Sequence, residues 1–299
     1  MKKDKSKYRS FRLSFILTLV FLVTGFFLLH YELVEYGWAF FVLLPIVTGL
    51  SVGALPNKWW SIFGLIVSLG FTLVGLVTMG LEGAMCGLMS LGLLLPFIFL
   101  GALISHLIGE YRKIKGTTKL NILILPLFIF LVTAPFEQKT IRLNEIKTEI
   151  ILPYTTEEVF DEIKSVDTLD APKSSLMYFG LPVPYKCVLE NEQVGGMRTC
   201  YFDGGKIVEQ ITEIERGKIL RMIVTDYELI GRKWLGFKDA IYLFEKINST
   251  QTKLTRVTTY TSELKPRFYW KSLEELGINQ EHDYVFRNLE KDLKNKYGR

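Results

Sequence analysis

Three cysteines and three histidines are few for a chain of 299 residues. His30, His106 and His282 have no partner at ligand spacing, and Cys86, Cys187 and Cys200 form no C-x-x-C pair, so no metal site is expected. No cofactor-binding motif occurs either. Charge is missing from the apolar runs of the first 136 residues, where Glu82 falls in a turn; without an intramembrane acid or base, a transport path is disfavoured. A basic stripe is missing from the rest. Residues 1–136 hold 11 Lys/Arg against five acids, and subtraction from the chain totals of 36 and 31 leaves 25 bases and 26 acids for residues 137–299. The positive charge therefore belongs to membrane-flanking segments, and a nucleic-acid partner is not expected.

What is present is apolar length. A bilayer core of about 30 Å needs about 20 mostly apolar helical residues. Five stretches approach this, at 13–29, 37–55, 61–79, 84–108 and 120–136. The last is short and contains Pro126, which leaves four spans as the alternative. Lysine and arginine fall in the leading segment, at Lys58 and in the 111–119 connector, whereas the intervening turns carry Glu32, Glu35 and Glu82. With five spans, the positive-inside rule places the N-terminus in the cytoplasm and residues 137–299 outside the cytoplasmic membrane. The first apolar run has no A-x-A cleavage site after it and reads as a retained signal anchor.

Gly49-Leu-Ser51-Val-Gly53 matches the nucleophile-elbow pattern G-x-S-x-G, but that chemistry requires a strand-turn-helix setting and these residues lie within an expected span. Gly49/Gly53 and Gly83/Gly87 are better explained as small residues that let helices approach, within the chain or against a membrane-protein partner. Trp38, Trp59 and Trp60 fit an interfacial aromatic belt.

After Phe136 the pattern changes to alternating, charged and turn-punctuated sequence. A strand is expected at 141–152, then a helix capped by Thr155 or Thr156 with Glu157 and Glu158 in its first turn. Strand-like runs follow at about 185–190, 197–203, 206–215, 218–229, 238–247 and 252–263, separated by glycine pairs and Asn248-Ser249, and a helix is expected at about 280–296. The spacing predicts an α+β fold, a curved antiparallel sheet around a long C-terminal helix, behind a multi-spanning α-helical membrane domain.

The order of these elements, the opening ILPYTTEEVF, the central VGGMRTCYFDGGKIVEQITEI and the closing FRNLEKDLK resemble the polyketide cyclase/dehydrase and lipid-transport group of the START-like (SRPBCC, helix-grip) superfamily over about residues 145–297. The resemblance implies a cavity between sheet and final helix, lined by aromatic and a few polar side chains. Candidate ligand contacts are Arg198, Tyr201, Glu209, Tyr227, Tyr242 and Trp270. Arg198 and Glu209 sit on neighbouring strands; either they face the cavity as a pair, or they form an exposed cross-strand ion pair. Asp203 reads as a turn residue and His282 as a capping or surface residue where the last helix begins. Cys187 and Cys200 flank a turn centred on Val194, so a symmetric hairpin would bring them within disulfide reach, in keeping with an extracytoplasmic domain.

Three functions remain open: a membrane-tethered module that binds a lipid or other hydrophobic small molecule as carrier or sensor, a cyclase or dehydratase of the same fold, and a membrane assembly factor. No nucleophile is assigned, and the balance is against an enzyme.

Overall fold

Hydroxyl and glycine residues at helical spacing decide how the first half packs. The computed structural model describes residues 2–115, 130, 141–229 and 234–298. The chain divides into two compact units, residues 1–140 with 263–270, and residues 141–262 with 271–299. The break expected near Phe136 and the expected span 120–136 lie outside the described residues, Phe130 excepted.

In the first unit, helix α1 (Lys2–His30) packs beside α3 (Lys58–Thr78), and α2 (Leu44–Gly53), led in by a π-helical stretch Ala39–Leu43, beside α4 (Ala84–Lys115). Ser10, Ser14 and Thr18 repeat every fourth residue along α1 and are buried with Ser61 and Ser68 of α3; the Ser14 hydroxyl donates to the Ser61 carbonyl at 2.5 Å. Between α2 and α4 the backbones themselves meet: a Cβ on Gly49 would lie 2.0 Å from the Ile98 oxygen, and one on Gly101 2.2 Å from the Ile46 oxygen. Gly53 meets Ala102, and Gly87 meets Leu73. The partner role considered for Gly49, Gly53 and Gly87 thus gives way to packing within the chain, while Gly83 meets only the Cys86 sulfur at 3.7 Å.

Among the described residues, three helices are long and apolar enough to cross a membrane: Ser6–His30, Lys58–Thr78 and Ala84–Tyr111. The span expected at 37–55 is shorter than that, because Ala39–Gly53 has 15 residues and reaches about 22 Å. Glu35-Tyr36-Gly37 at one side and Pro56 at the other confine it. One end of this unit gathers the starts of α1 and α3 and the end of α4, marked by Tyr8 against Trp60 and by the close Lys58 ammonium and His106 ring. At the other end Tyr36 lies within electrostatic reach of Glu82, Glu263 and Glu32. Residues 263–270 lie there too, with the Lys265 amide on the Tyr36 carbonyl, the Tyr269 hydroxyl on the Met89 carbonyl and the Trp270 ring 4.9 Å from Phe41.

The second unit begins with β1 (Arg142–Leu152), followed by α5 (Thr156–Ile163) and the short α6 (Ser175–Tyr178). Thr155 and Glu158 form a reciprocal capping box on α5, as S/T-x-x-E spacing before an apolar helix face requires. Strands β2 (Pro184–Leu189), β3 (Met197–Phe202), β4 (Gly205–Glu215), β5 (Ile219–Glu228), β6 (Leu235–Asn248) and β7 (Gln251–Ser262) complete one curled antiparallel sheet in the order β1-β7-β6-β5-β4-β3-β2. Gly204 at φ 87° and Gly217 at φ 72° make the β3–β4 and β4–β5 turns in a conformation that side chains resist. Helix α7 (Arg267–Tyr297) closes the fold, so this half has a helix-grip architecture, a curled antiparallel sheet with a long C-terminal helix.

Helix α7 starts 13 residues before the expected position. Gly277 and Asn279 disfavour helix in isolation, glycine by about 1 kcal/mol, but the neighbouring Glu274 and Ile278 are buried and hold the backbone in register. The largest cluster packs Leu152, Phe160, Leu220, Met222, Tyr242 and Phe244 against Val285 and Leu289 of α7. Each such buried apolar side chain contributes roughly 1.5–3 kcal/mol.

Candidate functional site: the inner wall of the sheet

Alternation along β3 and β4 turns Arg198, Cys200 and Phe202, and Ile207, Glu209 and Ile211, toward the inside. Arg198 and Glu209 are direct cross-strand partners, 3% and 7% exposed, joined at 2.7 Å. The exposed version of this pair is excluded by that burial. The Arg198 guanidinium also donates to the Lys164 and Ile163 carbonyls, at 3.0 and 3.4 Å. Those are the orphan acceptors at the C-terminal end of α5, where a cation is favoured. Arg198 therefore ties a helix end to the sheet, and removal of one partner from such a buried pair costs roughly 3–5 kcal/mol.

A second buried pair lies further along the wall. Arg256 of β7 is flanked in register by Tyr242 of β6 and Thr148 of β1. Its terminal nitrogens fork onto the Glu281 carboxylate of α7 at 3.0 and 3.3 Å, and its guanidinium carbon stands 5.5 Å from the Tyr242 ring centroid. The Arg256 Nε is buried and meets no hydrogen-bond partner among the described residues. An unmet buried donor costs about 1–3 kcal/mol. Burial raises the Tyr242 phenol above its ordinary pKa, and the nearby Arg256 and Arg198 cations only partly oppose this, so it stays protonated.

His282 follows Glu281 on α7 and is 0% exposed, which corrects the surface or capping role expected of it. One ring nitrogen is 2.8 Å from the Thr258 hydroxyl and the other is in close contact with the Thr148 hydroxyl. A neutral imidazole suits both threonines, since one nitrogen donates and the other accepts. Desolvation, reinforced by Arg256, holds the pKa of His282 far below the ordinary histidine value. Toward the start of α7, the Glu274 carboxylate accepts from the Ser262 hydroxyl at 2.6 Å and the Tyr260 hydroxyl at 3.2 Å.

The wall is not uniformly covered. The β5–β6 ladder runs only from Ile219 to Ile223 against Asp239 to Leu243; beyond it the strands part, bridged by the Tyr227 hydroxyl donating to the Leu235 carbonyl at 2.6 Å. At this end Val224, Tyr227, Leu229 and Phe237 remain partly exposed, whereas Leu220, Met222, Tyr242 and Phe244 at the other end are buried.

Of the six residues expected to contact ligand, Arg198, Glu209 and Tyr242 share one wall and interact electrostatically. Tyr227 lies at its parted end. Tyr201 instead points outward, 37% exposed, with its ring 6.3 Å from Tyr185, because Cys200 and Phe202 take the inward positions of β3. Trp270 belongs to the helical unit. Arg256, Glu281, Thr148 and Thr258 were not anticipated. The signal lay in β7, where alternate positions 256, 258, 260 and 262 are polar on the face that Leu254 buries, and in His282, which continues the apolar stripe of Ile278, Val285 and Leu289. Cys187 and Cys200 are paired in the β2–β3 register and joined by a disulfide, with Cα atoms 4.0 Å apart. Among the described residues no three His, Cys, Asp or Glu side chains gather as a metal site.

No protein-family model and no curated protein matches the chain. Among solved structures, the chain is similar to a START superfamily protein from Mycobacterium smegmatis, at 6% identity and TM-score 0.39 over 50% of this chain and 97% of the other. It is also similar to the Zhui aromatase/cyclase of a Streptomyces species, at 8% identity and TM-score 0.37 over 52% and 96%. A third is norcoclaurine synthase from Thalictrum flavum, at 12% identity and TM-score 0.32 over 50% and 94%.

Proposed function

We infer that the chain is a membrane-anchored helix-grip module that holds a lipid or other hydrophobic small molecule against the inner wall of its sheet, as a carrier or sensor beside the bilayer. The observation that carries this is the incomplete cover of that wall: Val224, Tyr227 and Phe237 keep apolar surface open beside a buried polar set. Apolar surface left inside a fold is a cost that a hydrophobic ligand relieves. Tethering adds effective concentration next to the phase from which the ligand partitions.

A carrier or sensor accounts for the polar groups better than a cyclase or dehydratase does. General acid-base chemistry needs a group free to exchange a proton with substrate. His282 has both nitrogens engaged by threonines, and the two arginines are matched by Glu209 and Glu281. The separation of a basic from an acidic end in the helical unit supports an orientation with the basic end cytoplasmic. A further crossing by residues 120–136 would then put the sheet domain outside, and the Cys187–Cys200 bond agrees with an oxidising compartment.

The test is purification of the full chain in mild detergent, followed by solvent extraction and mass spectrometry. A stoichiometric hydrophobic compound retained by wild type but depleted in Tyr227→Asp supports the reading. Recovery of nothing beyond bulk lipid, together with no displacement of an environment-sensitive apolar dye, overturns it.

A further inference from the structure

The inner wall holds two cations, each already matched by a carboxylate, and a third carboxylate, Glu274, that accepts from the Ser262 and Tyr260 hydroxyls. Arg198 is used by Glu209 and the α5 carbonyls, and Glu281 takes both terminal nitrogens of Arg256. What is left over is a donor without spare charge: the buried Arg256 Nε–H. Next to it in register lies Tyr242, whose ring faces the same guanidinium. Two residues further along each strand stand the paired Ala240 and Thr258, both small and buried, between the packed and the parted ends of the wall.

Resting on the reading given above, we propose that Arg256 Nε–H and the Tyr242 hydroxyl are the polar anchor of the ligand, and that they select an apolar molecule carrying a neutral oxygen acceptor, such as a ketone, ester or amide carbonyl. A hydrocarbon offers neither donor an acceptor. A carboxylate satisfies them but adds a negative charge beside Glu281 and Glu209, where no further cation among the described residues offsets it. A neutral carbonyl accepts both hydrogen bonds and leaves each ion pair intact.

The experiment uses the detergent-solubilised full chain and three probes of one chain length: 2-undecanone carbon-13 labelled at its carbonyl, undecanoate and undecane. In wild type the ketone binds more tightly than either of the others, and its bound carbonyl resonance moves downfield of its position in detergent alone, as an accepted hydrogen bond requires. Arg256→Lys, which keeps a cation for Glu281 but loses the Nε–H, weakens ketone binding about tenfold, the effect of losing one such bond. It leaves undecane binding unchanged. Tyr242→Phe keeps the ring and weakens the ketone similarly. The wild-type resonance needs no variant, so a misfolded Arg256→Lys leaves the test standing. A bound carbonyl unshifted from detergent, equal affinity for ketone and alkane, or tightest binding by undecanoate each overturns the anchor while leaving the hydrophobic-ligand reading intact. Failure of all three probes to bind overturns that reading itself.

Discussion

His282 carries a consequence at the scale of one residue. Its folded pKa is depressed, by burial first and Arg256 second, whereas an unfolded histidine titrates near about 6.5. The groups facing it are Arg256, Thr148 and Thr258 from the sheet and Glu281 from its own helix. Above pH about 6.5 both states hold the neutral ring and no stability is lost. As pH falls below that value the unfolded state takes up a proton that the folded state refuses, so stability declines, by about 1.4 kcal/mol at pH 5.5. His282→Gln retains a donor and an acceptor without the titration. Urea unfolding of wild type and variant at pH 7.5 and 5.5 is expected to show this loss as the difference between them. Equal losses in the two proteins would mean that the ring is charged in the fold. Reading this residue from sequence fails because its neighbours are 134 and 24 residues away in the chain. The flanking Glu281 and Asp283 make it look like part of a solvated face, and only the stripe of Ile278, Val285 and Leu289 places it inside.

Between elements, backbone proximity decides which glycines matter. Gly49 and Gly70 both sit within apolar helices and look alike in sequence. A Cβ at Gly49 meets the Ile98 carbonyl oxygen at 2.0 Å, whereas one at Gly70 meets nothing within 4 Å. Gly49→Ala must therefore separate α2 from α4 and is expected to destabilise the helical unit by about 1–3 kcal/mol, the usual penalty of overpacking. Gly70→Ala is expected to be neutral or to stabilise by up to about 1 kcal/mol through helix propensity. Thermal unfolding of the two variants in one detergent checks the contrast, which disappears if α2 and α4 do not touch. Element by element, the sheet was legible because its signals are local: Thr155 and Glu158 announce α5, and Gly204-Gly205 and Gly217 announce hairpins. The start of α7 was not, since Gly277 speaks against helix locally and burial of Glu274 and Ile278 overrides it. The inner wall was half legible for the same reason. Arg198 and Glu209 lie on adjacent strands of one hairpin, while Arg256 meets Glu281 only through the closure of α7 over the sheet.

For the whole molecule the decisive quantity is the number of crossings. The basic starts of α1 and α3 share an end with the close of α4, so on the proposed orientation the chain leaves α4 on the cytoplasmic side. The sheet domain reaches the other side only if residues 120–136 cross once more. Two measurements on intact cells bear on this independently. Alkaline phosphatase fused after Arg299 is expected to be active, since it folds only where disulfides form, and a fluorescent protein that matures in the cytoplasm is expected to give the weaker signal of the pair. Cys187 and Cys200 are expected to resist a membrane-permeant thiol reagent until reductant is added, because direct cross-strand pairing joins them as a disulfide in an oxidising compartment. An inactive phosphatase with both thiols freely labelled would place the domain in the cytoplasm and remove the fifth crossing. An inactive phosphatase with protected thiols would be a contradiction within the oxidising-compartment argument, because glutathione keeps exposed cytosolic pairs reduced; these sulfurs are buried, 4% and 7% exposed, and burial alone would then have to protect them. Labelling after mild denaturation without reductant separates those cases, since a buried thiol reacts once unfolded and a disulfide does not.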